Sequence, residues 1–323
     1  MPPDRRTDVP DDRRAAPRVA VIIPCYNEAV AIPMVVADFR AALPGAAIYV
    51  YDNNSSDGTA EVAAAAGAQV RREMLQGKGN VIRRAFADVE ADIFVLVDGD
   101  DTYDAAAAPQ MVDLLWRDRL DMVNGARVTQ IQAAYRPGHR LGNRVLTGMV
   151  RLVFGDRVSD MLSGYRVFSR RFVKSFPALA GGFETETEFT VHALDLRMPV
   201  GEVPTAYKDR PAGSTSKLRT YSDGVRILRT IVVLVKEERP LQFFSAAAGV
   251  LLLGSMVLGI PIVGEFLRTG LVPRLPTAVL ATGLGMIAFL SLACGLILDS
   301  VARGRKELKR LAYLAIPAPG NGP

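Results

Sequence analysis

Two runs without a single charged side chain divide this chain, Phe243–Gly264 and Thr277–Leu298. Each is about 22 residues, or roughly 33 Å as helix, which is enough to cross a bilayer core. A buried hairpin in a soluble protein is the alternative, but charge-free stretches this long are uncommon in soluble cores. The connection between them, Glu265–Pro276, is short and nearly neutral. Lys236 and Arg239 precede the first run, and Arg303, Arg305, Lys306, Lys309 and Arg310 follow the second. The positive-inside rule therefore puts both termini, and the domain before the hairpin, in the cytoplasm.

The runs also explain the composition. Apolar residues make up 49% of the 323 positions, with a mean hydropathy of +0.16, and the excess lies after Leu241. The first 240 residues read as an ordinary globular domain. Net charge is +5, and much of the surplus flanks the apolar runs, which points to an anionic membrane surface. No basic helix with interleaved aromatics argues for a nucleic-acid partner. The two cysteines, Cys25 and Cys294, are poorly placed for a disulfide and suit a reducing compartment. His139 and His192 are the only histidines, so a zinc site is not expected. Residues 1–17 are rich in Pro, Asp and Arg, lack an apolar segment, and read as a disordered tail.

Strand and helix signals alternate from Val19 onward. Val19–Ile23 reads as a buried strand, and Ala29–Leu43 as a helix with Ile32, Val35, Val36 and Phe39 on one side. Ala47–Tyr51 is a second strand, closed by the polar cluster Asp52 to Gly58, and an Ala-rich helix follows to Ala66. Ala68–Arg71 is a third strand, Asn80–Asp88 a helix opened by Gly77-Lys78-Gly79, and Asp92–Val97 a fourth strand. Met122–Ala126 reads as a further strand, after which the pattern loosens up to about Tyr207. Such alternation predicts an α/β domain with a parallel, Rossmann-like sheet covered on both faces. Ligands bind beyond the carboxyl ends of such strands. Three polar clusters fall there: Tyr26-Asn27-Glu28, Asp52 to Asp57, and Asp98 to Asp101. Tyr221–Val235 has Val225, Leu228, Ile231, Val232 and Val235 on one helical face. Its place just before the hairpin favours a helix lying in the membrane interface over a core helix.

Asp98, Asp100 and Asp101 gather three carboxylates at one strand end. They repel one another, and a divalent cation such as Mg²⁺ or Mn²⁺ is the usual answer. Such an ion completes its shell with phosphate oxygens, which a nucleotide diphosphate supplies. After the first strand, Asn27 reads either as a helix cap or, with Glu28 and Asp52, as part of a nucleoside cradle. The G-x-G-x-x-G of a dinucleotide site is missing there, which counts against an oxidoreductase.

Pro24-Cys25-Tyr26-Asn27-Glu28, Tyr51-Asp52-Asn53-Asn54-Ser55-Ser56-Asp57-Gly58-Thr59, Gly77-Lys78-Gly79-Asn80 and Asp98-Gly99-Asp100-Asp101 occur in this order. As a set they resemble glycosyltransferase family 2 with its glycosyltransferase-A fold. Four later segments narrow the match: Leu162–Arg166, Gly182–Glu188, Glu202–Pro204 and Asp209–Leu218. They resemble the dolichyl-phosphate mannosyltransferase and polyprenyl-phosphate glucosyltransferase group, and the likeness spans about Val19 to Arg310.

The resemblance implies a membrane-anchored enzyme that moves a hexose from a nucleotide sugar to a polyprenyl phosphate, with Mg²⁺ or Mn²⁺. It implies that Pro24, Tyr26, Glu28 and Asp52 hold the nucleoside, with Lys78 near the nucleotide. Asp98 and Asp100 would meet sugar and metal, Asp100 being the better ligand. Arg210 and Lys217 would meet phosphates, the first as a fork and the second as a point charge. Arg140 fits a family arginine for the acceptor phosphate, and Arg144 stands where the family has serine. Asn27, Asn54, Asp57, Gly77, Gly99, Ser163, Arg166 and Ser216 complete the expected substrate contacts. Glu184, Glu186 and Glu188 read as wall or support residues without assigned roles.

On this view residues 18–220 form the catalytic domain, 221–240 the interfacial helix, 241–300 the two membrane helices and 301–323 a basic cytoplasmic tail. A homo-oligomer is compatible with the hairpin, which offers a packing surface. A lipid phosphate is already ionised near pH 7, so no general base is required, and none is obvious. A processive polysaccharide synthase would carry Q-x-x-R-W, but the one tryptophan, Trp116, follows Leu115. An inert membrane scaffold would be expected to show degraded site motifs, and these are intact.

Overall fold

The computed structural model describes residues 16–128, 159–179, 181–182, 184–211, 229, 232–233 and 235–320. Its elements are β1 (Val19–Cys25), α1 (Ile32–Ala42), β2 (Ala47–Asp52), α2 (Thr59–Ala65), β3 (Gln69–Arg72), α3 (Lys78–Asp88) and β4 (Ile93–Leu96). A 3₁₀ turn then leads into α4 (Ala108–Arg117), followed by β5 (Met122–Val128), β6 (Arg166–Ser169) and α5 (Arg170–Ser175). Last come α6 (Thr185–Asp195), β7 (Val200–Ala206), α7 (Pro240–Thr269) and α8 (Leu275–Leu314).

One seven-stranded sheet runs in the order β3-β2-β1-β4-β6-β5-β7. Alternate residues of β1 serve its two faces, as the two-residue strand period requires. Val21 and Ile23 pack with Val35, Val36 and Phe39 of α1. Ala20 and Ile22 pack with Val81, Ile82 and Phe86 of α3 and an aromatic cluster of Phe168, Phe172, Phe176 and Phe189. Within that cluster Phe168 and Phe172 stack at 4.5 Å.

The sheet departs from the parallel expectation in one strand: β6 is antiparallel to both β4 and β5. The reversal matters for the site. Leu96, at the end of β4, pairs with Arg166, at the start of β6. The segment leading into β6 therefore lies at the carboxyl ends of its neighbours. A strand entering this way needs no parallel crossover helix.

Both apolar runs lie inside α7 and α8, which are long and apolar enough to cross a membrane. Ser255 of α7 donates to the Ala281 carbonyl of α8 at 2.7 Å. Residues 301–314, expected as a tail, instead continue α8 onto the sheet's base, the end opposite the polar loops. Lys306 Nζ donates to Asp195 Oδ1 at 2.6 Å, and Tyr313 Oη to Asp121 Oδ2 at 2.8 Å. The Arg171 guanidinium lies over the Tyr313 ring at 4.7 Å. These partners give the basic turns a reason to stay helical, and Pro317 follows just after the helix. Most of the expected interfacial helix, including Val225, Leu228 and Ile231, lies outside the described residues, as does the tail up to residue 15.

Candidate active site

Polar loops at the carboxyl ends of β1, β2 and β4 form one rim. Asn27 takes a left-handed backbone (φ 53°), which asparagine tolerates better than most residues. Its Oδ1 accepts from Ser56 N at 2.8 Å, and its own N–H donates to Ser55 Oγ at 2.9 Å. It is not the helix cap, because α1 starts only at Ile32. Asp57 accepts from Ala29 N and Thr59 N, each at 3.0 Å. Asn54 donates to the Met74 carbonyl at 2.8 Å. These three expected substrate contacts therefore brace the rim loops against one another.

Asn53, not singled out in the sequence, is the strongest such brace. Its Nδ2 donates to the Glu73 and Leu75 carbonyls at 2.7 and 2.8 Å, and its Oδ1 accepts from Gly77 N at 2.7 Å. Gly77 has φ +129°, and a Cβ there would lie 2.1 Å from the Gly181 carbonyl oxygen. Only glycine fits this corner. Beside Asn53, the buried Asp52 presents an Oδ1 with no hydrogen-bond partner among the described residues. Pro24 pairs across the sheet with Tyr51, and Tyr26 is exposed beyond it.

The centre holds two cation–carboxylate groups. Lys78 Nζ, at the start of α3, donates to Asp98 Oδ1 at 2.5 Å and to Glu186 Oε1 at 2.6 Å. Burial pulls the Lys78 ammonium down, but Asp98 and Glu186 together hold it well above its ordinary value. Burial raises the Glu186 carboxyl, with Lys78 opposing. Arg210 Nη2 meets Asp100 Oδ2 at 2.5 Å, and its Nη1 lies 3.7 Å from Glu28 Oε1. Thr102 Oγ1 donates to Asp100 Oδ1 at 2.6 Å. Burial, then the Asp98 charge, raises the Asp100 carboxyl.

The loop before β6 closes over this centre. A Cβ on Gly164 would come within 2.3 Å of Asp98 Oδ2, so backbone alone can pass there. Gly164 N donates to Tyr103 Oη at 2.8 Å. Gly99 packs as closely on Cys25, where a Cβ would sit 2.6 Å from Sγ. Burial and the surrounding carboxylates push the Cys25 thiol well up, so it is no nucleophile.

Ser163 and Arg166 have tasks other than substrate contact. Ser163 Oγ donates to the Gly125 carbonyl at 2.6 Å. Arg166, fully buried, donates to the Ser163 and Met161 carbonyls at 3.1 and 2.7 Å and to Thr190 Oγ1 at 2.9 Å. Both side chains hold the loop that covers Asp98. Arg140, Arg144, Ser216 and Lys217 lie outside the described residues.

Comparison with known proteins decides what this rim belongs to. Residues 20–176 match the model of glycosyl transferase family 2. An uncharacterized protein of Shigella flexneri is 54% identical over 155 residues, covering 48% of this chain and 95% of that protein. The dolichyl-phosphate hexose transferase of Haloferax volcanii is 30% identical over 221 residues, covering 68% of this chain and 95% of that protein. The chain belongs to glycosyltransferase family 2. Haloferax glycosyltransferase AglJ is 35% identical over 234 residues, covering 71% and 75% of the two chains. Glucosyl-3-phosphoglycerate synthase from Mycobacterium tuberculosis, solved in complex with Mn²⁺, UDP-glucose and phosphoglyceric acid, superimposes with a TM-score of 0.54. That match is 22% identical and covers 68% of this chain and 79% of the other. It supports the glycosyltransferase-A fold.

The residues of this glycosyltransferase fit a divalent ion. Among the described residues no three His, Cys, Asp or Glu side chains converge on one point. Mg²⁺ and Mn²⁺ need no such cage, since one or two carboxylates and substrate phosphates suffice. Asp98 and Asp100 offer hard oxygens where carboxylates crowd and positive charge stabilises them.

Proposed function

We propose that this glycosyltransferase moves a hexose from a nucleotide diphosphate sugar to a polyprenyl phosphate at the membrane, with inversion at C1. The observation that carries the acceptor is the hairpin. Two mostly exposed apolar helices are fastened to the catalytic domain through Lys306–Asp195 and Tyr313–Asp121. A soluble acceptor would leave that attachment without purpose.

The donor's nucleoside lies against Asp52, whose unpaired Oδ1 would accept from base or ribose, with Tyr26 and Glu28 of the neighbouring rim loop completing the cradle. Lys78 and Arg210 supply positive charge to an otherwise acidic centre. Asp100, with Asp98, would hold Mg²⁺ or Mn²⁺, which neutralises the departing diphosphate. A phosphate oxygen of the lipid attacks C1 from the face opposite the diphosphate. The C1–oxygen bond to the diphosphate breaks, and its electron pair leaves with the nucleoside diphosphate. The attacking oxygen carries no proton near pH 7, so the residues position and screen charge rather than abstract a proton. The chain spans the bilayer through α7 and α8, with its catalytic domain in the cytoplasm.

The test is a panel of radiolabelled nucleotide sugars, GDP-mannose and UDP-glucose among them. Each is incubated with purified full-length protein, Mn²⁺ and polyprenyl phosphate. Label in the organic phase is expected with one of them. No label with any common activated hexose would end this reading.

A further inference from the structure

Glu186 carries a buried oxygen that the centre leaves unpaired. It sits in the first turn of α6 and is 5% exposed. Its Oε1 accepts from Lys78, while its Oε2 has no hydrogen-bond partner among the described residues. Asp195 Oδ2 and Asn124 Oδ1 also lack partners, so an unpaired oxygen alone marks no site. Glu186 differs in its neighbours. The same ammonium that it meets also holds Asp98 just after β4, on the ligand-binding rim.

Charge decides what fits beside it. Asp98 and Glu186 place two carboxylates around one lysine, a combination that repels phosphate. A neutral group that donates O–H suits a buried carboxylate oxygen, and the bond is charge-assisted. The hydroxyl-bearing end of a nucleotide sugar is such a group; a diphosphate beside Arg210, itself flanked by Asp100 and Glu28, would need the divalent ion proposed there.

We propose that Glu186 reads a hydroxyl of the transferred hexose, its Oε2 accepting from the sugar while Oε1 stays on Lys78. The inference rests on the donor being a nucleotide hexose. It makes Glu186 a specificity residue that holds the ring in a fixed orientation above Asp98.

Calorimetric titration of the full-length protein in detergent tests it. The ligands are UDP-glucose, UDP-galactose and GDP-mannose, with UDP and GDP, followed by singly deoxygenated versions of the preferred sugar. Wild type is expected to bind one deoxy analogue about 10- to 100-fold more weakly than the parent, because its loss leaves a buried acceptor unpaired. Glu186→Gln can keep the lysine bond through its amide oxygen while putting an N–H₂ donor where Oε2 was. It should bind the parent sugar roughly tenfold more weakly and no longer penalise that analogue, with nucleoside diphosphate affinity held within about twofold. Unchanged discrimination among deoxy analogues in Glu186→Gln overturns the proposal. So does an equal loss of nucleoside diphosphate affinity, which would mark a structural role, or a wild type that binds no nucleotide sugar better than its diphosphate. If the acceptor reading alone is wrong, donor binding and its dependence on Glu186 persist while no label enters the organic phase.

Discussion

The two ends of the sheet hold their buried carboxylates for different purposes. At the base, Asp121 is 0% exposed and both its oxygens are engaged. Oδ1 accepts from Ser169 Oγ at 2.7 Å and from Arg171 Nε, and Oδ2 from Arg171 Nη2 at 2.9 Å and Tyr313 Oη at 2.8 Å. At the rim, Asp52 and Glu186 each keep a buried, unpaired oxygen, and Asp100 shares a cation with Glu28. Buried polar groups are normally satisfied, because an unmade hydrogen bond is costly. The base follows that rule at Asp121, while Asp195 keeps Oδ2 unpaired among the described residues beside Lys306, and both fasten the hairpin. What sets the rim apart is its place beyond the strand ends beside two cations, where a ligand can complete the pairing. Damage to the rim should therefore appear in activity, and damage to the base in stability.

The largest effect belongs at the rim. Asp100→Ala should lower hexose transfer by roughly 10³-fold, since it removes charge where the leaving group departs. Its melting temperature should change little, because Arg210 is partly exposed and keeps Glu28 close by. Normal turnover by this variant would remove Asp100 from the chemistry. Asp121→Ala should do the reverse. Removing one partner of a buried pair costs about 3–5 kcal/mol, so the detergent-solubilised protein should melt many degrees lower. The fraction that remains folded at low temperature should still transfer at close to the wild-type rate. Equal losses of activity per folded molecule in both variants would erase the contrast between the two ends.

The sequence shows the rim more clearly than the base, for a physical reason. β1 to β4 carry strand and loop signals locally; Asp52 and Lys78 stand at a strand or helix end, and Asp98 and Asp100 lie in the loop just after β4. The antiparallel β6 is only Arg166–Ser169, too short for a periodic signal, and strand direction is a tertiary property. α6 is hidden for another reason. It is buried almost all round, from Thr185 to Asp195, so no polar face alternates with an apolar one. Glu186 was thus visible as a residue but not as a partner of Lys78. Arg166 misled in the opposite sense. A charged residue inside a motif looks like a ligand contact, yet its donors are taken up by the Ser163 and Met161 carbonyls and Thr190.

A pH scan separates the two ends more finely. His192 of α6 lies among Phe172 and Phe176, with Ser175 Oγ 3.3 Å from its Nε2. Burial, aided by Lys309, pushes its pKa down to about 3. Its unfolded value is near 6.5, so between these pH values the unfolded chain binds a proton that the native chain refuses. Stability from this group is intact above about pH 6.5 and falls by about 1.4 kcal/mol per unit below it. From pH 7 to 5 the loss should be about 2 kcal/mol, seen as a lower melting temperature. His192→Gln should flatten that part of the curve. An unchanged slope would show that His192 does not carry the acid sensitivity.

The smallest effect tests the seam between hairpin and domain. Tyr313→Phe keeps the ring under Arg171 and removes only the hydroxyl that donates to Asp121 Oδ2. Asp121 retains Arg171 and Ser169, so the cost should be about 1 kcal/mol, a shift of a few degrees in melting temperature. Transfer to a long-chain prenyl phosphate and to a short soluble analogue should stay in the wild-type ratio, because the helix remains docked through Lys306 and Asp195. Adding Lys306→Met should remove that second fastening and lower the long-chain rate more than the short-chain rate. If the double variant lowers both rates equally, α8 stabilises the domain without positioning it at the lipid.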